Sequence, residues 1–245
     1  MGKITVITGG TSGIGKGIVE RIVRESRPED KLFVTYGHSQ EKAAELLNTL
    51  PEVKRDQIIL IKADMSDYDS MMDFVQKVKK ETDHIDWLIS NAGISTYAKY
   101  EDYTFEEWTR IVNTNLSVPV FMLKELRPLM KEGGSVLLTG SYAGQQAYSS
   151  SLVYGVTKAA IHFLAKSLVK EFEPVGVRVN AIAPGFIETP WHASRTQESY
   201  DRINRKIALH RFGTVEEVAD MAYSVLSNGY MNGSVVDIHG GYDFF

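Results

Sequence analysis

Short apolar runs alternate along the chain with longer stretches whose apolar residues recur every three or four positions. The short runs are typical of strands that are buried on both faces of a parallel sheet, and the longer stretches have the period of amphipathic helices. The predicted strands are 4–8, 32–36, 57–62, 87–90, 135–139, 178–182 and 235–238. The predicted helices are 13–26, 39–49, 67–82, 104–131, 152–173 and 215–227.

Strands that alternate with helices in this way predict an α/β fold, a doubly wound sheet of about seven parallel strands with helices on both faces. No linker, internal repeat or change of composition divides the sequence. We therefore expect one domain spanning residues 1–245.

Composition changes this picture mainly by excluding classes of function. The apolar content of 43% and charged content of 24% are those of an ordinary globular protein, and a net charge of −4 gives no case for nucleic-acid binding. There is no cysteine, and the six histidines show no paired ligand spacing, so no metal site is expected. No apolar run of membrane-spanning length and no signal peptide are recognised, which predicts a cytoplasmic protein without membrane partners.

The first predicted strand leads directly into the glycine-rich run Thr8-Gly-Gly-Thr-Ser-Gly-Ile-Gly15, which opens the first helix. Glycines let the backbone approach a pyrophosphate, whose charge a helix N-terminus stabilises. The position between strand and helix favours a nucleotide-binding loop over a simple turn. Gly10-x4-Gly15-Lys16 also nearly matches a P-loop, but Gly17 stands where serine or threonine would hold magnesium. A P-loop kinase or ATPase is the competing enzyme class.

Polar residues follow two further strands at the edge where ligands bind to such sheets. Asp64 and Met65 follow the third strand, and Asn91-Ala92-Gly93 follows the fourth. Asp64 either accepts a hydrogen bond from an adenine amine or caps the helix that begins near residue 67. The sequence leaves both roles open.

Tyr154 and Lys158 stand four residues apart near the start of the predicted helix 152–173, so they share one face. A lysine there would lower the pKa of the phenol and let it transfer a proton near neutral pH. Ser141 would present a hydroxyl to the same substrate oxygen. Taken alone, the pair also fits a surface tyrosine and a solvated lysine. Asn113 and Asn115, inside the predicted helix 104–131, indicate a kink or a side chain with a function.

Together these motifs resemble the short-chain dehydrogenase/reductase superfamily, in its compact single-domain, Rossmann-like branch. The resemblance covers nearly the whole chain, and the overall look is similar to bacterial 3-oxoacyl-carrier-protein reductases. The matching motifs are the loop from Thr8 to Gly15, Asn91-Ala92-Gly93, the tetrad Asn115, Ser141, Tyr154 and Lys158, the segment from Asn180 to Gly185, and Gly240-Gly241.

The resemblance implies an oxidoreductase that transfers a hydride between a nicotinamide cofactor and a small-molecule ketone or secondary alcohol, with 3-oxoacyl thioesters among the candidate substrates. Tyr154 would be the general acid in reduction, and Ser141 would hold the carbonyl oxygen. Lys158 would lower the tyrosine pKa and bind the nicotinamide ribose, while Asn115 would hold a water that passes protons toward Lys158. The implied cofactor contacts are Gly9, Thr11, Ser12, Gly13, Ile14, Gly15, Tyr36, His38, Ser39, Asp64, Met65, Asn91, Ala92, Gly93, Tyr154, Lys158, Pro184, Gly185, Ile187 and Thr189.

The end of the second strand decides between the two nicotinamide cofactors. It reads Tyr36-Gly37-His38-Ser39, without the carboxylate that would bind the ribose 2′-hydroxyl of NAD. His38 and Ser39 would donate to a 2′-phosphate, although the arginine common in NADP-preferring relatives and a basic residue at Ser12 are both absent. We expect NADP(H) to be favoured over NAD(H).

A substrate lid is expected at about 186–211. It holds aromatic and basic side chains: Trp191, His192, Tyr200, His210, Arg195, Arg202, Arg205, Lys206 and Arg211. They form either an aromatic pocket rimmed by charge, which would attract a phosphopantetheine or another acidic substrate, or an amphipathic helix with a solvated basic face. The sequence favours the second interpretation.

The C-terminal Phe244 and Phe245 are expected to pack at a subunit contact. The resemblance implies a homo-oligomer, ordinarily a tetramer formed through the helices that carry Asn115 and Tyr154. Two alternatives to a ketone reductase remain, an NAD-dependent sugar or polyol dehydrogenase and a non-catalytic dinucleotide-binding regulator. A regulator has no need of the full tetrad, which favours an enzyme.

Overall fold

The computed structural model describes residues 2–96, 98–147, 152–242 and 244, and at its centre is one parallel sheet. The strands are β1 (Ile4–Ile7), β2 (Lys31–Tyr36), β3 (Ile58–Lys62), β4 (Ile85–Ser90), β5 (Met130–Thr139), β6 (Arg178–Pro184) and β7 (Val235–Ile238). They lie in the order β3-β2-β1-β4-β5-β6-β7, and every neighbouring pair is parallel. The predicted seven-stranded α/β sheet is confirmed.

Helices cover both faces of the sheet because successive strand residues point to opposite sides. Val6 of β1 belongs to one apolar cluster, and its neighbour Ile7 belongs to the other. The helices are α1 (Gly13–Glu25), α2 (Gln40–Thr49), α3 (Tyr68–Glu81), α4 (Phe105–Val112), α5 (Val118–Leu126), α6 (Leu152–Phe172), α7 (Gln197–Asn204) and α8 (Val215–Ser227). The cluster around Ile7 takes in α1, α2 and α8, and the one around Val6 takes in α3, α5 and α6.

The strand order changes direction between β1 and β4. The chain moves outward from β1 to β3 and then returns to place β4 on the other side of β1. Crossovers on opposite faces leave a crevice at the carboxyl ends of these two strands, where ligands bind to doubly wound sheets. The first glycine-rich loop and the Asn91-Ala92-Gly93 segment both open onto this crevice.

The predicted helix 104–131 is wrong in its continuity and its end. A π-helical turn, Asn113–Ser117, separates α4 from α5, and the Val118 N–H donates to the Asn113 carbonyl across it. Pro119 has no N–H to donate to the Asn115 carbonyl four residues earlier, so the α-helical ladder is interrupted there. The short 3-10 turn Arg127–Leu129 ends the segment, and Met130 already belongs to β5.

Helix α6 and the turn after it, Leu152–Val175, are long and apolar enough to cross a membrane by length and composition alone. Lys158, Lys166 and Lys170 lie within this segment, so it is not the uninterrupted apolar run of membrane-spanning length that the sequence was expected to lack. In this fold the helix lies against the sheet, with Val153, Ile161 and Ala165 buried. Packing against the sheet accounts for part of its apolar character, while Val156 and Phe163 are exposed on its other side.

Candidate active site

A cleft of about 970 Å³ opens at the carboxyl ends of the strands, over the crevice between β1 and β4. Most of the predicted site residues line it: Gly9, Ser12, Gly13, Ile14, Gly15, His38, Asp64, Met65, Asn91, Ala92, Gly93, Ser141, Tyr154, Lys158, Pro184, Gly185, Ile187 and Thr189. Thr11, Tyr36 and Ser39 do not line it. Thr11 is buried in the loop, and the Ser39 hydroxyl accepts the Lys42 N–H as the cap of α2. Asn115 is buried behind the cleft wall.

The glycine loop is shaped for close approach of a charged group. Gly9 and Gly13 have φ of +63° and +51°, a left-handed conformation that favours glycine. A side chain at Gly15 would collide with the Gly9 carbonyl oxygen. The first turn of α1 has no acidic residue, and its N-cap Ser12 makes no side-chain capping bond. The exposed N–H groups of this helix end fit a pyrophosphate.

Asn91 holds the loop in place from the far side of the switch point. Its Nδ2 donates to the carbonyls of Thr8 and Gly9, both at 3.1 Å, and its Oδ1 accepts from Thr139 Oγ1 at 3.2 Å. Thr8 Oγ1 in turn accepts the backbone N–H groups of Asn91 and Ala92. The Asn91 amide therefore braces the cradle, and sequence reasoning did not identify its partners Thr8 and Thr139.

Asp64 does not cap α3, because Asp67 takes that role by accepting the Ser70 N–H at 2.9 Å. Asp64 Oδ1 instead accepts the Ser66 backbone N–H at 2.8 Å and the Ser66 hydroxyl at 2.7 Å. The backbone hydrogen bond is the main cause of a lowered pKa for this carboxyl, which stays ionised. Oδ2 has no partner in the described residues, so it can accept from an amine in the cleft.

Ser141 and Tyr154 meet where β5 ends and α6 begins. Their hydroxyl groups are hydrogen-bonded to each other, and Ser141 Oγ also accepts the Ala143 N–H at 3.2 Å. Lys158, one helical turn after Tyr154, donates from Nζ to the Thr139 carbonyl at 2.7 Å. Its Nζ lies 5.5 Å from the centre of the Tyr154 ring. The three side chains that the sequence placed together do lie together.

The predicted lowering of the tyrosine pKa is wrong for this arrangement. Burial raises the pKa of the Tyr154 phenol above its ordinary value, and the hydrogen bond with Ser141 acts in the opposite direction without overcoming it. Burial also lowers the pKa of Lys158 to about 8. Desolvation disfavours the charged form of each group, and it is the largest cause of both shifts.

The Asn115 side chain is fully engaged by protein. Nδ2 donates to the Ile94 carbonyl at 2.9 Å and to Thr157 Oγ1 at 3.0 Å, while Oδ1 accepts the Ile94 N–H at 2.9 Å. These bonds tie the π-helical turn to the segment after β4 and to α6. The kink predicted from the two asparagines is present, and the side chain has a positioning task.

His162 is a functional neighbour that sequence reasoning missed. It lies one turn after Lys158 on α6, is buried, and its Nε2 accepts the backbone N–H of Ser141 at 3.3 Å. Burial, with the charge of Lys158 as a second cause, lowers the pKa of His162 to about 4. The ring is therefore neutral at physiological pH and remains an acceptor. An isolated histidine in a helix gives no signal of this role in the sequence.

The lid covers the cleft from Phe186 onward and contains α7, which agrees with the interpretation of the lid as a helix, although the bounds of that helix were not predicted from the sequence. The centre of the Trp191 ring lies 5.7 Å from that of the Tyr154 ring, so the lid reaches the side of the cleft that holds Tyr154. At the base of the lid the Gly213 N–H donates to the Phe186 carbonyl, and the Glu188 N–H donates to the Gly213 carbonyl. An apolar cluster fills the space behind it: Tyr142, Phe186, Tyr200, Ile203, Ile207, Phe212 and Tyr242.

The lid also buries His192, which packs against Phe186 and Phe212. Burial first, and then the charge of Arg195, lower the pKa of His192 to about 4. The neutral ring accepts at Nδ1 from Arg195 Nε at 3.0 Å. A buried imidazole thus orients a guanidinium that lines the cleft.

Comparison with other proteins places these features in a family. A family model described as enoyl-(acyl carrier protein) reductase matches residues 9–243. The chain is 31% identical over 243 residues to the 3-oxoacyl-(acyl-carrier-protein) reductase FabG of Chlamydia trachomatis, covering 98% of this chain and 96% of that protein.

Solved structures agree with the sequence comparison. A short-chain dehydrogenase/reductase from Serratia marcescens superposes with a TM-score of 0.90 at 25% identity, covering 99% of this chain and 98% of that one. A short chain dehydrogenase from Burkholderia cenocepacia in complex with NADP gives a TM-score of 0.89 at 25% identity, covering 98% of each chain.

Proposed function

The chain belongs to the short-chain dehydrogenase/reductase family, whose members are nicotinamide-dependent oxidoreductases of carbonyl and alcohol groups, and we propose that it is an NADP(H)-dependent ketone reductase. The observation that carries this proposal is the hydrogen-bonded hydroxyl pair of Ser141 and Tyr154, in a cleft sized for a dinucleotide and its substrate. When bound, the nicotinamide supplies the hydride in reduction and accepts it in oxidation.

Each tetrad member has a distinct task in the proposed reaction. Ser141 donates to the carbonyl oxygen and stabilises the negative charge that develops on it. Tyr154 gives that oxygen a proton, and its raised pKa keeps the phenol protonated until the transfer. The buried cation of Lys158 then stabilises the phenolate that remains.

Lys158 also begins the route by which the proton on Tyr154 is replaced. The Asn115 side chain is occupied by Ile94 and Thr157, so it has little capacity to hold a water. The Asn115 carbonyl lacks its α-helical donor because Pro119 has no N–H. We propose that this carbonyl holds the water that the resemblance assigns to Asn115.

The cofactor is proposed to be NADP(H). Neighbouring structures in complex with NADPH and NADP support this choice. His38, which follows β2, lines the cleft. Asp64, which follows β3, is the one carboxylate among the described lining residues, so none of them stands at the end of β2. The glycine loop and the N-terminus of α1 would hold the pyrophosphate, and Asp64 Oδ2 would accept from the adenine amine. Tighter binding of NADH than NADPH in a fluorescence titration would contradict the preference.

A 3-oxoacyl thioester is the substrate that the FabG relatives suggest. The family model's description favours a second candidate, reduction of an enoyl carbon–carbon double bond. Two hydroxyl groups that meet at one point suit an oxygen that becomes an alcohol, which favours the ketone. An oligomer is also proposed, because Phe105 of α4 and Phe163 of α6 are 79% and 73% exposed in the two regions through which the resemblance implies subunit contacts.

The predicted role of the terminal phenylalanines concerns the same oligomer. Phe244 is 80% exposed, with its ring 6.0 Å from His239, and Phe245 lies outside the described residues. Their packing at a subunit contact stays a prediction. The tetramer and the cytoplasmic location of the protein also stay predictions. If deletion of both residues leaves sedimentation and melting unchanged, the predicted contact is wrong.

The test of the proposed function is NADPH oxidation with acetoacetyl-coenzyme A and, separately, crotonyl-coenzyme A. We expect oxidation with the ketone alone, and a loss of at least about 10²-fold in Tyr154→Phe with NADPH binding retained. Tyr100→Phe, an exposed tyrosine outside the cleft, is the matched control. Oxidation with crotonyl-coenzyme A alone would establish the enoyl reductase instead. NAD-linked oxidation of polyols without ketone reduction would favour the polyol dehydrogenase. NADPH binding without any turnover would favour the dinucleotide-binding regulator.

A further inference from the structure

The charges that line the cleft are unbalanced. Lys158, Arg195, Arg202 and Lys206 line it, whereas Asp64 is the one carboxylate among the described lining residues. The chain as a whole carries a net charge of −4. Positive charge is therefore concentrated in the cleft, although the protein as a whole is negatively charged. Three of the four cations belong to the lid.

The basic residues of the lid fall into two groups. Arg211 points away from the cleft and pairs with Glu217, at 2.6 Å between Nη2 and Oε1, and Arg205 is exposed and does not line the cleft. Arg195, Arg202 and Lys206 do line it, and in the described part of the chain none of these three forms a salt bridge. The interpretation of the lid as a helix with a solvated basic face fits the exposed Arg202 and Lys206, and these two residues and the half-buried Arg195 also line the cleft.

One of the three cations is held in place by the protein. Arg195 is held by its bond to His192 and by a second one from Nη1 to Ser199 Oγ at 3.1 Å, and its guanidinium lies 5.5 Å from the centre of the Phe186 ring. Arg202 and Lys206 flank Ile203, which is buried in the apolar cluster behind the lid. The two hydrogen bonds of Arg195 restrict where its guanidinium can reach, and an ordered cation binds an anion at a lower entropic cost.

We propose that the substrate carries an anionic group, a carboxylate or a phosphate, at a distance from its reacting carbonyl, and that Arg202, Lys206 and Arg195 bind this group. The proposal rests on the proposed function, since it names the class of ketone that the same cleft reduces. The carbonyl lies at Ser141 and Tyr154, the part of the substrate between the two ends passes Trp191, and the anion meets the lid cations. Guanidinium groups suit both anions because they donate parallel hydrogen bonds.

The cofactor phosphates are the other anions that these cations could serve. Thr189, at the start of the lid, lies near Gly13 of the phosphate loop, so the two regions are adjacent. Measurement of NADPH affinity in each variant separates the two roles, because a residue that binds only substrate leaves this affinity unchanged.

The experiment compares matched pairs of substrates with the full-length protein and NADPH. Acetoacetate is compared with methyl acetoacetate, and levulinate with methyl levulinate. Acetoacetyl-coenzyme A is compared with the neutral thioester acetoacetyl-N-acetylcysteamine. We expect kcat/KM to be at least about tenfold higher for the anionic member of at least one pair. A preference confined to the free acids identifies a carboxylate, and one confined to the thioesters identifies the phosphate groups of the carrier.

The variants Arg202→Gln and Lys206→Gln should raise KM for the preferred anion about tenfold, leave kcat within about twofold, and leave both the neutral substrate and NADPH affinity unchanged. Arg205→Gln, on the same lid but outside the cleft, is the matched control and should behave as the parent. Arg202→Lys should recover part of the lost affinity because it keeps the charge.

Three results would overturn the proposal. Equal use of neutral and anionic members, with ketone reduction intact, would refute the anion site and leave the proposed function standing. Loss of NADPH affinity in parallel with substrate affinity would assign the cations to the cofactor. Failure to reduce any member of the three pairs would refute the ketone reductase itself, and the anion site with it.

Discussion

His162 Nε2 accepts the backbone N–H of Ser141 across 3.3 Å, and this bond joins the middle of α6 to the turn that follows β5. The imidazole also lies so close to Gly140 that a side chain there would collide with it. Lys158 and His162 occupy consecutive turns of one helix face. Helix α6 therefore positions both the Lys158 ammonium near the Tyr154 phenol and the His162 ring that accepts from Ser141.

The first prediction concerns this bond. His162→Leu leaves the buried Ser141 N–H without an acceptor, which costs about 1–3 kcal/mol of unfolding free energy. Because Ser141 is then free to shift, kcat should fall about tenfold or more with little change in KM. His162→Gln offers an amide oxygen in place of the ring nitrogen and should recover most of both losses. Steady-state kinetics and urea denaturation measure the two effects, and equal behaviour of the two variants would contradict the assignment.

The second prediction is a dependence of stability on pH. His162 and His192 have pKa values of about 4 when folded, against an ordinary value of 6.5. Between these values the unfolded chain binds protons that the folded chain does not, so the free energy of unfolding should fall as the pH drops from about 6.5 toward 4. Urea titrations across that range measure the slope. Replacing both residues by glutamine should flatten it, whereas His38→Gln, at an exposed position, should not.

The third prediction separates stability from activity at Lys158. Burial lowers its pKa from 10.5 to about 8, so below pH 8 its charge costs the fold up to about 3 kcal/mol. Lys158→Met removes this cost and loses one hydrogen bond to Thr139, so it should unfold at no lower a urea concentration than the parent at pH 7. Its turnover should fall at least about 10²-fold.

The parent protein provides the control for that variant. Between pH 8 and 10.5 the unfolded chain keeps the lysine proton and the folded chain releases it, so the parent should gain stability as the pH rises. Any advantage of Lys158→Met should shrink over the same interval. A variant that is markedly less stable at pH 7 would show that the hydrogen bond outweighs the desolvation.

The fourth prediction tests the phosphate cradle with two glycine substitutions. Gly15→Ala places a methyl group against the backbone carbonyl of Gly9 and the amide of Asn91, which cannot yield without opening the loop. NADPH affinity should fall at least about tenfold, as measured by fluorescence titration. Gly229→Ala, where a side chain meets open space, should leave affinity and melting unchanged. Equal affinities in the two variants would place the cofactor elsewhere.

The sheet was predictable because its strands are buried on both faces and therefore carry an uninterrupted apolar pattern. Strand ends moved by a few residues, and β5 begins at Met130, inside the stretch predicted as helix. The α4–α5 break was indicated by Asn113 and Asn115, although the missing N–H of Pro119 is the physical cause and went unnoticed. The bounds of helix α7 inside the lid were not predicted, because it has eight residues and lies in a stretch dominated by polar side chains.

The site was predictable where chemistry constrains residue type and not where only surroundings matter. Glycine is required at the loop, and hydroxyl, phenol and amine are required at Ser141, Tyr154 and Lys158. The braces Thr139, Thr157 and His162 depend on which segments the fold brings together, which spacing along the chain does not reveal. The predicted direction of the Tyr154 pKa shift was wrong for the same reason, because that direction follows from burial.

The pair of hydrogen bonds at the base of the lid has a consequence for how such a protein can change. Phe186, Glu188 and Gly213 bring the two ends of the segment together on the scaffold, so whatever lies between them is a closed loop. The entropy of closing a loop grows only slowly with its length. The lid can therefore be exchanged for one of different length or charge while the sheet, the cradle and the tetrad stay in place. Grafted between the same two anchor points, a foreign lid would give the cleft a new lining while the arrangement of Ser141, Tyr154 and Lys158 stays unaltered.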